Sequence, residues 1–261
     1  MIEIVDTHCH LDNALFSSDR DSVLQNCHAA GINKIVVPAI ARNNWDEVLR
    51  LCQQYDALFP ALGLHPLFND QHSDADIDLL DTYLCHHAVV AVGEIGLDYY
   101  AKDTDREKQQ YFFAEQLKLA EKHQLPVLLH VRKAHTDVLK ILKKYKLVGG
   151  IAHAYNGSLE QAREYIQLGF KLGFGAVLTY ERATKIRRLA SELPLDSIVL
   201  ETDAPDMAGF LHQGERNSPE YLHETLSVLA EIRGCASHDI GAQTTQNAND
   251  VFRGALQGKA E

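Results

Sequence analysis

At 261 residues, with 46% hydrophobic and 23% charged side chains, the chain carries enough apolar material for a substantial core, which excludes a disordered protein. That length sits close to the ~250 residues typical of one α/β barrel, so residues 1–261 are expected to form a single domain. The formal net charge of -11 excludes binding of nucleic acid through a broad basic surface, and any phosphate chemistry has to be organised locally.

In chain order, short runs rich in Val, Ile and Leu alternate with amphipathic stretches, the rhythm of repeated βα units. Strands are expected at residues 2–6, 34–39, 58–62, 89–94, 126–130, 149–153, 171–174 and 197–201. Residues 104–123 read as a long amphipathic helix. Ser158 stands as N-cap before LEQAREYIQLG, whose helical spacing closes at Gly169, a suitable C′ glycine. Residues 204–218, APDMAGFLHQGERNS, lack periodicity and read as a loop after the last strand, where barrels build active sites. Eight strands in this order predict an α/β fold of the (β/α)₈ TIM-barrel type.

The strand ends carry the chemistry. The first finishes in DTHCHLD, and side-chain alternation puts His8 and His10 on one side, with Cys9 opposite. Glu94 in VAVGEIGLD, His130 in PVLLHVR, His153 in GGIAHAY and Asp203 after IVLET end other strands. Barrel geometry gathers these ends at one face. Buried His and carboxylate groups in such number need a compensating partner, and a metal is the economical one; the competing reading is a purely structural polar network. His8, His10 and Asp203 suit one metal and His130 with His153 a second, while Glu94, with two oxygens, suits a bridge. Mixed nitrogen and oxygen ligation leaves Mg²⁺, Mn²⁺ and Zn²⁺ open.

Around these, Asp203 is also a candidate general base and Glu94 a candidate catalytic carboxylate. Glu201 shares its face and either orients a ligand or pairs with a buried arginine. His65 in ALGLHP is expected at the pocket rim, contacting substrate or serving as a packing residue. Arg132 either clamps a phosphate or bridges to Asp98. Asp98 and Asn217 are candidates for supporting or substrate contacts, with a structural role as the alternative, and Tyr99 and Tyr100 either stack on a base or pack. The other histidines, including His72 and His135, read as surface residues.

Five cysteines without CxxC spacing do not suggest a disulfide framework and fit a reducing cytoplasm. The MIEIVDTHCH start shows no basic segment leading into an apolar one, and no apolar stretch approaches 18 residues, so neither export nor a membrane anchor is expected.

The segments DTHCHLD, ALGLHP, VAVGEIGLDYY, QLPVLLHVRKAH, GGIAHAYNGS, LGFKLGFGA and VLETDAP, in this order along nearly the whole chain, resemble the TatD family of metal-dependent hydrolases, within the amidohydrolase-like barrels, and its YjjV-type branch in particular. The resemblance implies a barrel, two divalent metals and DNase activity, with 3′ to 5′ exonuclease action on single-stranded DNA through a water activated by the metal pair. It carries the metal positions onto His8, His10, Glu94, His130, His153 and Asp203, each with the family's residue type. Glutamate at position 94, where many amidohydrolases use a carboxylated lysine, favours this family over dihydroorotase or phosphotriesterase assignments. The rival enzyme reading is a small-molecule amidohydrolase or esterase; a third is a noncatalytic metal-binding barrel acting through partners. No stable protein partner is evident, and a monomer is the default.

Overall fold

A computed structural model describes residues 3–102 and 104–256. The first half runs β1 (Ile4–Asp6), α1 (Arg20–Ala29), β2 (Ile32–Pro38), α2 (Trp45–Gln54), β3 (Leu58–Leu62), α3 (Asp74–His86), β4 (Ala91–Asp98) and α4 (Arg106–His123). The second runs β5 (Val127–Arg132), α5 (His135–Leu142), β6 (Gly150–Ala152), α6 (Leu159–Gln167), β7 (Phe170–Phe174), α7 (Thr184–Glu192), β8 (Ile198–Leu200), α8 (Leu222–Arg233) and α9 (Ser237–Val251). The eight strands pair in sequence order, all parallel. The Thr7 N–H donates to Leu200 O at 3.0 Å, joining the end of β1 to β8 and all but closing the barrel. This is the amidohydrolase-like TIM-barrel architecture.

Alternation along the strands sorts the apolar side chains into two layers. Ile4, Ile35, Val127, Leu129 and Leu200 face outward, packed with helix residues such as Phe113, Leu117, Val138 and Leu229. Val5, Val36, Ala61, Leu128, Ile151 and Val199 fill the interior together with Val251, Phe252 and Leu256 from the chain's C-terminal end. Asn247 Nδ2 on α9 donates to Leu195 O and Ile198 O, and Thr245 Oγ1 donates to Glu3 O. Helix α9 thus closes the N-terminal mouth of the barrel and leaves the C-terminal mouth to the site.

The boundaries differ from expectation in one informative place. Strand β4 was expected to stop at Glu94 but continues to Asp98, with a register irregularity between Val92 and Ile95. The expected first strand began at Ile2, which lies outside the described residues; β1 is observed from Ile4. Helix α6 begins behind its Ser158 cap as expected, with Gly169 in the left-handed region at φ +83°. No described helix is long and apolar enough to cross a membrane.

Candidate metal centre

Three of the central side chains follow from simple alternation. Leu128, Ile151 and Val199 point into the barrel, so two residues on, His130, His153 and Glu201 stand at its C-terminal mouth. Glu94 does not follow in this way. Ala91 faces in and Val92 out, yet Ile95 and Leu97 also face out. The irregularity between Val92 and Ile95 resets the phase of β4 and turns Glu94 inward, the usual effect of a bulge on side-chain direction. His8 and His10 lie just beyond β1, and Asp203 just beyond β8 is fixed by its N–H donating to His8 O at 2.8 Å.

Glu94 is the hub. Its Oε2 lies 3.1 Å from His8 Nε2 and 3.4 Å from His10 Nε2. Its Oε1 lies 2.9 Å from His130 Nδ1, 3.2 Å from His65 Nε2 and 3.4 Å from His153 Nε2. Asp203 Oδ1 is 3.6 Å from His8 Nε2 and 3.7 Å from His10 Nε2. Candidate ligand atoms fall into overlapping groups: His8, His10 and Asp203; His8, Glu94 and His153; and His65, Glu94 and His130.

Supporting contacts fix these rings. Asp98, buried four residues beyond Glu94 on the same strand, accepts from His130 Nε2 at 3.0 Å, which leaves Nδ1 turned to Glu94. Gln109 on α4 holds Asp98 in place, accepting from its N–H and donating to its carbonyl. Gln116, one helical stretch further, does the same for Leu64 beside His65. Glu201 Oε1 lies 3.5 Å from His153 Nδ1. Gly173 on β7 makes room for it, because a Cβ there would stand 2.1 Å from Glu201 Oε2. Asp6, which sequence reasoning passed over, accepts from the N–H groups of His8 and Thr202 and from Thr202 Oγ1, binding the ends of β1 and β8 together beneath the ligands. Its only sequence signal was an acidic residue two positions before His-x-His.

Burial would raise Glu94, but His65, His8 and His153 hold it well below the usual carboxylate range. Burial and the neighbouring His153 lower His8 to about 3, and burial pushes Asp203 up to about 6. For His10 and His153 burial is outweighed by the facing carboxylates, which raise them to about 9 and about 10. Two rings therefore carry protons at neutral pH that a metal must displace. Metal uptake at pH 7 is expected to release protons, and affinity to climb as pH rises toward 10; an indicator dye in weak buffer reads the release.

The structure relocates several candidates. His65, expected at the rim, is buried directly against Glu94. The Leu67 N–H donates to its Nδ1, and burial lowers it to about 4, so the neutral ring keeps its proton on Nε2, pointing at the centre. Arg132 is exposed at the pocket mouth and lies 3.8 Å over the Tyr100 ring; Asp98 is occupied by His130, so the alternative bridge between Asp98 and Arg132 does not form. For Asn217 the geometry is that of the structural alternative: fully buried, its Nδ2 donates to Thr202 O and Asp206 O and its Oδ1 accepts from the Ser218 N–H. It fastens the loop after β8, and its complete burial turns it away from the pocket. His72 and His135 are buried, not superficial: His72 Nε2 donates to His65 O, and His135 sits between the Tyr165 hydroxyl and Asn156.

The donor set fits divalent metals. His8 Nε2 and His10 Nε2 face each other at 3.3 Å while both turn to Glu94 Oε2 and Asp203 Oδ1. Protons alone satisfy such convergent lone pairs poorly; a cation satisfies all of them together. An amidohydrolase-like barrel with this cluster at its C-terminal mouth is a metal-dependent hydrolase. The family model for TatD related DNase matches residues 5–253, and the chain belongs to the TatD family, in its YjjV-type branch. It is 43% identical to the metal-dependent hydrolase YjjV of Escherichia coli (strain K12), over 95% of this chain and 97% of that one. The metal-dependent hydrolase YabD of Bacillus subtilis (strain 168) is 33% identical over 96% and 99%. The crystal structure of E. coli YjjV superposes with a TM-score of 0.93, covering 97% of this chain and 98% of that chain at 42% identity.

Proposed function

We propose that residues 1–261 act as one hydrolase domain, a cytoplasmic, monomeric deoxyribonuclease that shortens single-stranded DNA stepwise from its 3′ end. In this reading His8, His10 and Asp203 would hold one divalent ion and His130 and His153 a second, with Glu94 available to both. The observation that carries it is Glu94, whose two oxygens divide between the His8/His10 pair and the His130/His153 pair. The chemistry supplied by two such ions when bound is Lewis acidity, which neutralises phosphate charge and makes water a competent nucleophile near pH 7.

The chain's own groups do the rest. Asp203, raised to about 6 by burial, accepts the proton of the attacking water at its carboxylate. Nε2–H of His65, kept protonated by the Leu67 contact at the other nitrogen, donates to a phosphate or leaving oxygen. Arg132, steadied on Tyr100, clamps a non-bridging phosphate oxygen. Asp98 and Glu201 orient His130 and His153.

One feature favours a second reading. A cavity of about 470 Å³ beside the centre has a largely apolar wall that includes Phe174, Val177, Ile186 and Met207, suited to an uncharged organic group of a small amide or ester. The two readings separate in one assay. After chelation, Mg²⁺, Mn²⁺ or Zn²⁺ is restored singly and 5′-labelled single-stranded DNA is followed. The nuclease reading expects a ladder of shortening labelled products; immediate release of labelled mononucleotide would reverse the polarity. No cleavage with any metal would transfer the assignment to small-molecule hydrolysis.

A further inference from the structure

Next to the 470 Å³ cavity lies a groove of about 580 Å³, and Asn156 lines both. The cavity in turn shares His130, His153 and Asp203 with the pocket holding Glu94 and His10. A continuous path therefore leaves the metal centre, passes the apolar wall and enters the groove. Arg106, Lys133 and Lys185 line the groove, and Arg132 stands at the cavity beside Lys133.

These four cations are not drawn into ion pairs, as several basic residues elsewhere on the surface are. Lys34, Arg50, Lys118, Lys122, Lys143, Arg188 and Arg216 each pair with a carboxylate. Among the described residues, Arg106, Arg132, Lys133 and Lys185 have no carboxylate partner; they rest on tyrosine rings or a carbonyl. Arg106 lies 4.5 Å over Tyr99, Arg132 and Lys133 lie 3.8 Å and 4.7 Å from the Tyr100 centroid, and Lys185 donates to Asn156 O. The rings of Tyr99 and Tyr100 thus each carry a cation. Among the described residues the groove lining includes one carboxylate, Asp137, which acts on the neighbouring Tyr99 hydroxyl. In a chain of net charge -11, four cations lining the cavity and groove beside the metal centre give this stretch of surface a locally positive character.

We infer that this groove is a subsite for the phosphates of a single nucleic-acid strand whose reacting end lies at the metal centre, with the apolar cavity taking the intervening base. The inference rests on the nuclease reading for the identity of the polyanion. It explains how a strongly acidic protein keeps hold of a strand between successive cuts: cations are placed along the path that leads from the metal centre.

The test is the salt dependence of binding, read by fluorescence anisotropy with a hydrolysis-resistant phosphorothioate oligothymidylate in Mg²⁺ buffer. Wild type is compared with Lys133→Gln/Lys185→Gln and with the control Lys118→Gln/Lys122→Gln, whose lysines lie outside the groove. Each lost contact to a single strand removes ~0.7 from the slope of log affinity against log salt, so the groove variant should lose about 1.4 and the control almost nothing. Cleavage of bis-p-nitrophenyl phosphate, too short to reach the groove, should be unchanged in the groove variant, which also shows that it is folded. An unchanged slope in the groove variant overturns the inference, whatever the cleavage assays show. A lost slope in a protein that shortens no DNA keeps the groove and overturns the nuclease reading instead.

Discussion

Glu94→Gln should lower turnover by about 10³-fold or more while leaving the barrel folded. The substitution keeps the side chain's shape but removes the charge that five imidazoles share: His8, His10, His65, His130 and His153. Loss of a single preorganised electrostatic group commonly costs 10² to 10³ in rate, and this one serves both ligand groups. The same change should reduce the proton release that accompanies metal uptake, because Glu94 is the main group that keeps His10 protonated at neutral pH, while His153 is held chiefly by Asp203 and Glu201. Single-turnover assays on end-labelled DNA measure the first effect and a dye titration the second. Turnover near the wild-type rate would remove Glu94 from the centre of the account.

The largest expected effect on stability comes from a residue with no side chain. Gly96 pairs with His130 across β4 and β5, at φ +150°, and a Cβ there would stand 1.9 Å from His130 O. Gly96→Ala combines a backbone conformation that side-chain-bearing residues avoid with a collision against the neighbouring strand. Together these should cost about 4 kcal/mol. In a chain of this length that corresponds to a fall of roughly 10 °C in Tm. Because the strand that must move carries His130, metal affinity should fall as well. Thermal unfolding and a metal titration of the variant check both, and a melting curve superposable on wild type would contradict the packing described for β4 and β5.

Why some of this could be read from sequence and some not follows from the range of the forces involved. The eight strands were legible because each is a short apolar run whose alternation is local, and that same alternation behind Leu128, Ile151 and Val199 points His130, His153 and Glu201 to the mouth. The fourth strand is expected at residues 89–94, and nothing in VAVGEIGLD marks its continuation past the glycines. In the folded chain they permit a phase reset within one continuous strand, which only the pairing with β5 reveals. His65 seemed a rim residue because it follows a strand end by three positions; Gln116, from a helix 52 residues away, pins the adjacent Leu64 and draws the loop inward. Asn217 resembled a substrate contact because it lies in the long loop after β8, yet the loop's own unpaired carbonyls consume its amide. His72 and His135 were placed at the surface for want of any signal that distant segments would cover them.

Assembly of two divalent ions around Glu94 at this mouth can be read by calorimetric titration of metal-free protein with Mn²⁺ in buffers of differing ionisation enthalpy. Two ions per chain, net proton release at pH 7, and loss of the paired stoichiometry in Glu94→Gln are expected. Binding of a single ion that is indifferent to Glu94, or uptake without proton release, would contradict such an assembly.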